Sequence, residues 1–383
     1  MLKHQFYCWI LLLVCLCGCS NKPGSNSLKQ IDISIGFTQP LVEVQASTMI
    51  DSFKYVKLAT NDSILIGGIS KILYQDGFLF VLNEECDKVF IFNSDGSINQ
   101  IVKRKGKGPG EYIYITDFCY YPNRKEVIIL DHNSKKVVCY SLIDKTSQEH
   151  KIPTGLGKIY NYQDIFVFLI FSMYHNETWP YYLYTTDSDF QEIERLGKTN
   201  IFDEYPKREP RNSTFHHVNG NLVFWNRFGD TISYYKLTKG DSLKLVNQEV
   251  IVNYINPMPV DQLSNMLNYN HFFFSYYTDR TIIFMGNIKN KPVSIFYSVE
   301  NDELVSSNLY KTHGIINNLD AGPSFFPIGQ AGHNVLYNII EPSDYLNKQN
   351  SVKNHTNSQV IYPFNSVQAD DNPIIQLAFF KHE

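Results

Sequence analysis

From Gly77 to Asn93 the chain reads GFLFVLNEECDKVFIFN: two unbroken apolar runs, FLFVL and VFIF, on either side of a polar stretch. Short runs rich in aromatic and β-branched residues predict strands. Asp95-Gly96 follows, a strong hairpin dipeptide, and SINQIV then predicts a third strand. Shifted by 48 residues, Phe80–Asn83 falls on Ile128–Asp131 and Asp87–Phe92 falls on Lys135–Tyr140, apolar on apolar and turn on turn. Weaker copies start at Asp164, Gly220 and Arg280, and a sixth at His333 is continued by NPIIQLAFF (Asn372–Phe380). A period of about 40 to 50 residues is that of radial sheet repeats. One such sheet cannot bury its faces alone, and stacking six in a ring buries them.

The pattern therefore predicts an all-β fold, a six-bladed β-propeller. Leu41–Leu58 is expected to close the ring by joining the last blade. A β-sandwich with accidental internal similarity is the competing architecture, and the shared register argues against it. Two segments break the pattern. Pro257–Asn270 and Ser343–Ser358 predict small helical insertions between late blades, the first with a Pro start and apolar residues at helical spacing.

Ahead of the repeats lies Phe6–Cys17, twelve residues without charge. A spanning helix needs about 20, so the run predicts a secretory leader. It ends Leu16-Cys17-Gly18-Cys19, which resembles the bacterial lipobox. That resemblance implies a signal peptide over 1–18, diacylation of Cys19 and anchorage to a membrane by lipid. Residues 19–40 are expected to be a flexible tether, with the propeller over 41–383. No acidic residue follows Cys19 closely, which favours the periplasmic face of the outer membrane over the cell surface.

Charge and cysteine content narrow the function classes. The net charge of −4 becomes about −5 once Lys3, the one charged residue of the leader, is removed. Nucleic-acid-binding domains carry basic patches, so nucleic acid is not expected as a partner. Four of the seven cysteines lie within the first nineteen residues, leaving Cys86, Cys119 and Cys139. An odd number without Cys-x-x-Cys argues against a disulfide framework and a thiolate zinc site.

KRKGKGPGEY (Lys103–Tyr112) packs three glycines and a proline among four positive charges. A P-loop needs Gly-Lys-Ser/Thr leading into a helix; here Gly110 leads to Glu111-Tyr112 and a strand-like IYITDF, so a phosphate loop is not expected. Within the repeat the stretch joins one blade to the next. Its charges are either solvated, or Arg104, Lys107, Glu111 and Tyr112 reach an anionic or sugar-like ligand at the central channel. INNLDAGPSFFPIG (Ile316–Gly329) offers Asn317, Asn318 and Asp320 beside two Phe, either as a pocket loop or as another connection. His216-His217 on a strand point to opposite faces and do not suit one metal. Asn93–Ser97 mimics the start of a calcium loop without the later Glu. No cofactor is expected, with calcium the one ion left open.

The stretch MIDSFKYVKLATNDSILIGGISKI, then DGFLFVLN, KVFIFNSDGSINQIVKRKGKGPGEY and the terminal DDNPIIQLAFF, resembles the six-bladed β-propeller lipoproteins of Bacteroidota, similar in shape to NHL and TolB-type propellers. The likeness spans most of the mature chain, tightest over Ile50–Tyr140 and loosest over Tyr160–Thr312. It implies a monomeric, lipid-anchored envelope propeller that binds a glycan, peptide or protein partner through one face of the ring. The alternative it leaves open is a metal-dependent hydrolase, lactonase or lyase of propeller type. Such an enzyme needs carboxylates and histidines converging from several blades, and Asp117 is the leading inner-strand carboxylate.

Overall fold

A computed structural model describes residues 28–171, 174, 178–198, 214–225, 231–240, 242–252, 268–288, 290–354 and 363–382. The leader, the lipobox cysteine Cys19 and nearly all of the predicted helix at 257–270 lie outside these residues.

The chain opens with β1 (Lys29–Asp32), α1 (Ser34–Thr38) and β2 (Ile50–Lys57). Blade 1 follows as β3 (Ile69–Gln75), β4 (Phe78–Asn83), β5 (Val89–Asn93) and β6 (Ile98–Val102). Blade 2 is β7 (Asp117–Tyr121), β8 (Glu126–Asp131), β9 (Lys136–Ser141) and β10 (Ser147–Lys151). Blade 3 is β11 (Leu156–Tyr162), β12 (Ile165–Ile170), β13 (Tyr181–Thr186) and β14 (Glu192–Lys198). Blade 4 is β15 (Thr214–Val218), β16 (Asn221–Trp225), β17 (Thr231–Leu237) and β18 (Leu243–Val252). Blade 5 is β19 (His271–Tyr277), β20 (Thr281–Ile288), β21 (Lys291–Ser298) and β22 (Glu303–Ser307), then α2 (Leu309–Thr312). Blade 6 holds β23 (Gly329–Gly332), β24 (Val335–Ile340) and β25 (Ile374–Phe380), with α3 (Pro342–Asn354) between its last two strands. Its outer strand is β2, paired antiparallel with β25 from Ile50↔Phe380 to Lys57↔Ile374. The fold is a six-bladed β-propeller.

The unbroken apolar runs have a simple cause. A strand alternates its side chains between two faces, and in a radial sheet both faces meet a neighbouring blade. In β4, Leu79 and Val81 enter the core shared with blade 6, while Phe80 and Leu82 enter the core shared with blade 2. In β12, Phe166, Phe168 and Ile170 face blade 2, and Ile165, Val167 and Leu169 face blade 4. Two further cores fill the gaps between blades 4 and 5 and between blades 5 and 6. Six inter-blade cores for six blades, the last blade packing on the first, close the ring.

One feature of the N-terminal segment departs from the sequence pattern. Residues 29–40 were expected to be tether. Instead β1 adds a fifth strand to blade 4, parallel to β18 in the register Lys29↔Glu249 to Asp32↔Val252. Ile31 and Ile33 are both buried in the core between blades 4 and 5, which is what holds the segment down. The helix expected over 343–358 is α3 (Pro342–Asn354), but it lies inside blade 6, between the neighbouring strands β24 and β25, rather than between blades.

The first strand of each blade surrounds the ring axis. The step from β2, the outer strand of blade 6, to β3 crosses the outer hairpin of blade 1, which it enters. Ala59 N–H donates to Gly96 O at 2.9 Å. Gly96 has φ of +88°, and a Cβ there would stand 2.0 Å from the Lys57 carbonyl oxygen, so only glycine fits the crossing.

Candidate functional site

The glycine-rich loop Lys103–Tyr112 obeys the same rule. It leaves β6 and lies against β10, the outer strand of blade 2. The Arg104 guanidinium donates to Lys145 O at 2.8 Å and sits over the Tyr140 ring. Gly110 N–H donates to the Glu149 carboxylate at 2.9 Å. Gly108 N–H donates to Glu111 Oε2 at 2.8 Å, and a Cβ on Gly106 would meet that oxygen at 1.9 Å. The Gly106 amide goes to Tyr112 O and the Glu111 amide to Gly108 O, so the loop's N–H groups are spent within the chain rather than aimed at one open anion site. Tyr112 has no exposed surface. Its hydroxyl accepts from Arg104 N–H at 3.1 Å and donates to Asp87 O at 2.9 Å. Burial lifts its phenol to about 12. The reading that brings Arg104, Lys107, Glu111 and Tyr112 to the central channel is therefore corrected: the loop is seated on the rim, and Tyr112 and Glu111 are held by the loop itself.

The loop after α2 is built in the same manner. Asn317 Nδ2 donates to Tyr55 Oη at 2.9 Å and to Asp320 Oδ1 at 2.5 Å, and Gly322 N–H donates to Asp320 Oδ1 at 2.9 Å. Asn318 pairs both ways with Ser47, accepting from its N–H at 2.9 Å and donating to its hydroxyl at 2.8 Å. Tyr55 is on β2, the outer strand of blade 6. Asn317, Asn318 and Asp320 thus latch a connection onto an outer strand, and their expected placement in a pocket is corrected too.

Polar groups gather around the axis: Asp117 and His216, which the sequence reading weighed, and Lys71 and Lys158, which it did not. Lys71 on β3 donates to Asp117 Oδ1 on β7 at 2.6 Å and to Phe118 O at 2.7 Å. Asp117 Oδ2 accepts from Ile159 N–H on β11 at 3.0 Å. Inner strands have one unpaired edge, and these groups bind it. Lys158, next along β11, faces the axis. It is half-buried, and loss of solvation lowers its ammonium from 10.5 to about 8 despite the attraction of Asp117. His216 on β15 is 4% exposed. Burial, then the Lys158 charge, lower it to about 3, so the ring is neutral at pH 7. Neither ring nitrogen has a hydrogen-bond partner among the described residues. The Gln330 amide on β23 lies beside the ring but donates to Tyr277 O and Gly332 O instead. Four blades thus bring two lysines, one carboxylate and a neutral imidazole to the axis.

His216 and His217 do point apart. The His216 ring packs on Tyr277 of blade 5, the His217 ring on Tyr162 of blade 3. At the ring's other end Asp279 accepts from Asn219 N–H at 2.7 Å, Asn334 Nδ2 at 2.6 Å and His333 Nε2 at 2.9 Å. These contacts tie blades 4, 5 and 6 and hold the Asp279 carboxyl below its usual range against the opposing effect of burial. Among the described residues no three His, Cys, Asp or Glu side chains gather as a metal site. No described helix is long and apolar enough to cross a membrane.

A family model described as a domain of unknown function, DUF4934, matches residues 28–379. The chain belongs to the DUF4934 family. The match begins at the β1 segment and runs to within a residue of the end of β25, so the DUF4934 unit is the whole ring with its appended strand. A Bacteroides fragilis protein named as exported superposes on this DUF4934 chain with a TM-score of 0.68 at 16% identity, covering 93% of this chain and 100% of that one. A member of the duf4221 family from Bacteroides vulgatus gives 0.50 at 11% identity, covering 88% and 98%. At these identities the likeness is one of fold. No curated protein matches the chain in sequence.

Proposed function

We infer that this protein is a lipid-anchored envelope propeller that binds the anionic part of a glycan, peptide or protein partner at the axis of its ring. The observation that carries the reading is the charge balance there among the described residues: Lys71 and Lys158 against the one carboxylate of Asp117. Asp117 is engaged by Lys71 and by a backbone amide, so its charge is already matched. Lys158 adds a second positive charge within reach of Asp117 and Lys71, and the ring nitrogens of His216 beside it have no hydrogen-bond partner among the described residues. Such groups are costly to bury, and an arriving carboxylate or phosphate would offset that cost. The envelope location rests on the leader and lipobox and on the exported relative of the same fold. The periplasmic face of the outer membrane is the placement the residues after Cys19 favour.

The test is isothermal titration with glucuronate and with inorganic phosphate. An anion that binds should lose at least about tenfold in affinity, about 1.4 kcal/mol, in Lys158→Met, and should bind more weakly at pH 9 than at pH 7. Equal affinity in Lys158→Met, or no binding of either anion to the folded protein, sinks the reading.

A further inference from the structure

A second concavity lies away from the axis, between blades 4 and 5. It measures about 200 Å³. Val218, Val246 and Ile282 supply apolar wall, Tyr234 and Tyr277 the rings, and Glu249 a carboxylate. Glu249 is 4% exposed and accepts from Tyr234 Oη at 2.6 Å. No lysine or arginine lines the cleft.

Two side-chain amides on its walls have their N–H groups turned to the backbone. The Asn219 amide nitrogen donates to Asp279 O at 3.2 Å and that of Asn221 to Asn219 O at 3.1 Å, which leaves their carbonyl oxygens toward other donors. The Thr278 hydroxyl donates to Thr281 O and accepts from Thr281 N–H, both at 2.9 Å, so it is already satisfied. A buried carboxylate, side-chain amide oxygens and aromatic faces complement a compact, donor-rich cation. The chain supplies its own comparison. Lys29 on β1 holds its ammonium 3.8 Å from Glu249 Oε1 and 2.9 Å from Asp302, over the Tyr297 ring. Carboxylates and a tyrosine face already hold one ammonium just outside the cleft.

We propose that the cleft between blades 4 and 5 binds a small organic cation, an ammonium or guanidinium group on a short alkyl chain, with Glu249 as its counter-charge. The site is independent of the axial lysines and takes ligands of opposite sign.

Calorimetric titration with n-butylammonium and n-butylguanidinium, and with n-butanol as the neutral match, tests this. The cations are expected to bind and n-butanol to bind at least tenfold more weakly. Glu249→Gln keeps an acceptor for Tyr234 and should cost the cations about tenfold or more, about 1.4 kcal/mol. Lys29→Ala removes the competing ammonium and should tighten them several-fold. Lys158→Met should leave them unchanged, which separates this site from the axis. Binding of n-butanol as strong as that of the cations, full affinity in Glu249→Gln, or no cation binding by folded wild type would each overturn the proposal.

Discussion

Replacing Lys158 with Met should make the protein more stable and less able to bind anions. The ordinary lysine ammonium loses its proton near 10.5, and Lys158 loses it at about 8 because the fold strips it of water. That gap corresponds to about 3 kcal/mol of cost to the folded state when the ammonium is charged. Some channel water reaches the side chain, so a gain of about 1–3 kcal/mol at pH 7 is expected from Met, which keeps the alkyl volume without the charge. The sign follows from linkage. Between pH 8 and 10.5 the unfolded lysine still holds a proton that the folded one has released, so wild-type stability from this group rises with pH across that window. Below 8 the penalty is present in full. The Met variant lacks this slope, and its advantage should shrink as pH rises from 8 and vanish near 10.5. Urea unfolding of both proteins at pH 7, 9 and 10 measures it. A Met variant less stable at pH 7, or one whose advantage is the same at every pH, refutes the reasoning.

Asp117→Ala removes the partner of Lys71 and the acceptor of Ile159 N–H. Breaking a buried pair from one side costs about 3–5 kcal/mol; with the Lys71 side chain 28% exposed, about 2–3 kcal/mol is expected. Urea unfolding of Lys71→Met, Asp117→Ala and the double variant should show the double less destabilised than the sum, and strict additivity would break the argument. Gly96→Ala, whose Cβ would meet the Lys57 carbonyl oxygen at a positive φ, is expected to cost about 2 kcal/mol or more by chemical denaturation, and a change within about 0.5 kcal/mol would show that the crossing yields. Cys86, Cys119 and Cys139 are all buried, and burial pushes the Cys119 and Cys139 thiols up. An aromatic disulfide reagent should therefore modify them only as fast as the protein unfolds, and a fast native-state reaction of all three would contradict the core assignment.

The repeat was legible because its cause is local and doubled. Every blade buries both faces of its two middle strands, so FLFVL, VIIL, IFVFLI and IIFMG stand out as continuous apolar runs recurring along the chain at the scale of one blade. The inner and outer strands were fainter. β10 (Ser147–Lys151) is polar and half exposed, and β23 (Gly329–Gly332) has four small or polar residues, since each has a sheet edge without a neighbour. β1 was invisible for another reason. Four residues, Lys29–Asp32, are held by two isoleucines and by pairing to a strand more than two hundred residues away, and no pattern within the segment records that.

The candidate sites followed a different logic, and the error is instructive in physical terms. Glycines, asparagines and acids crowded into a connection suggest a ligand because they expose backbone amides and short polar side chains. The same groups are what a connection needs in order to satisfy itself. Glu111 accepts from Gly108 N–H, and Asp320 is bound by Asn317 and Gly322 N–H, so each loop already engages its strongest acceptor. The axis works the other way. Lys71, Asp117, Lys158 and His216 sit in four strands separated by about forty to sixty residues each, in stretches that carry no motif. Asp117 could be noticed as a carboxylate opening an inner strand. Lys71 and Lys158 could not, because a lysine in a strand ordinarily points to solvent. Only the closure of the ring turns those positions inward, where two lysines meet one carboxylate among the described residues and the ring nitrogens of His216 have no hydrogen-bond partner among them.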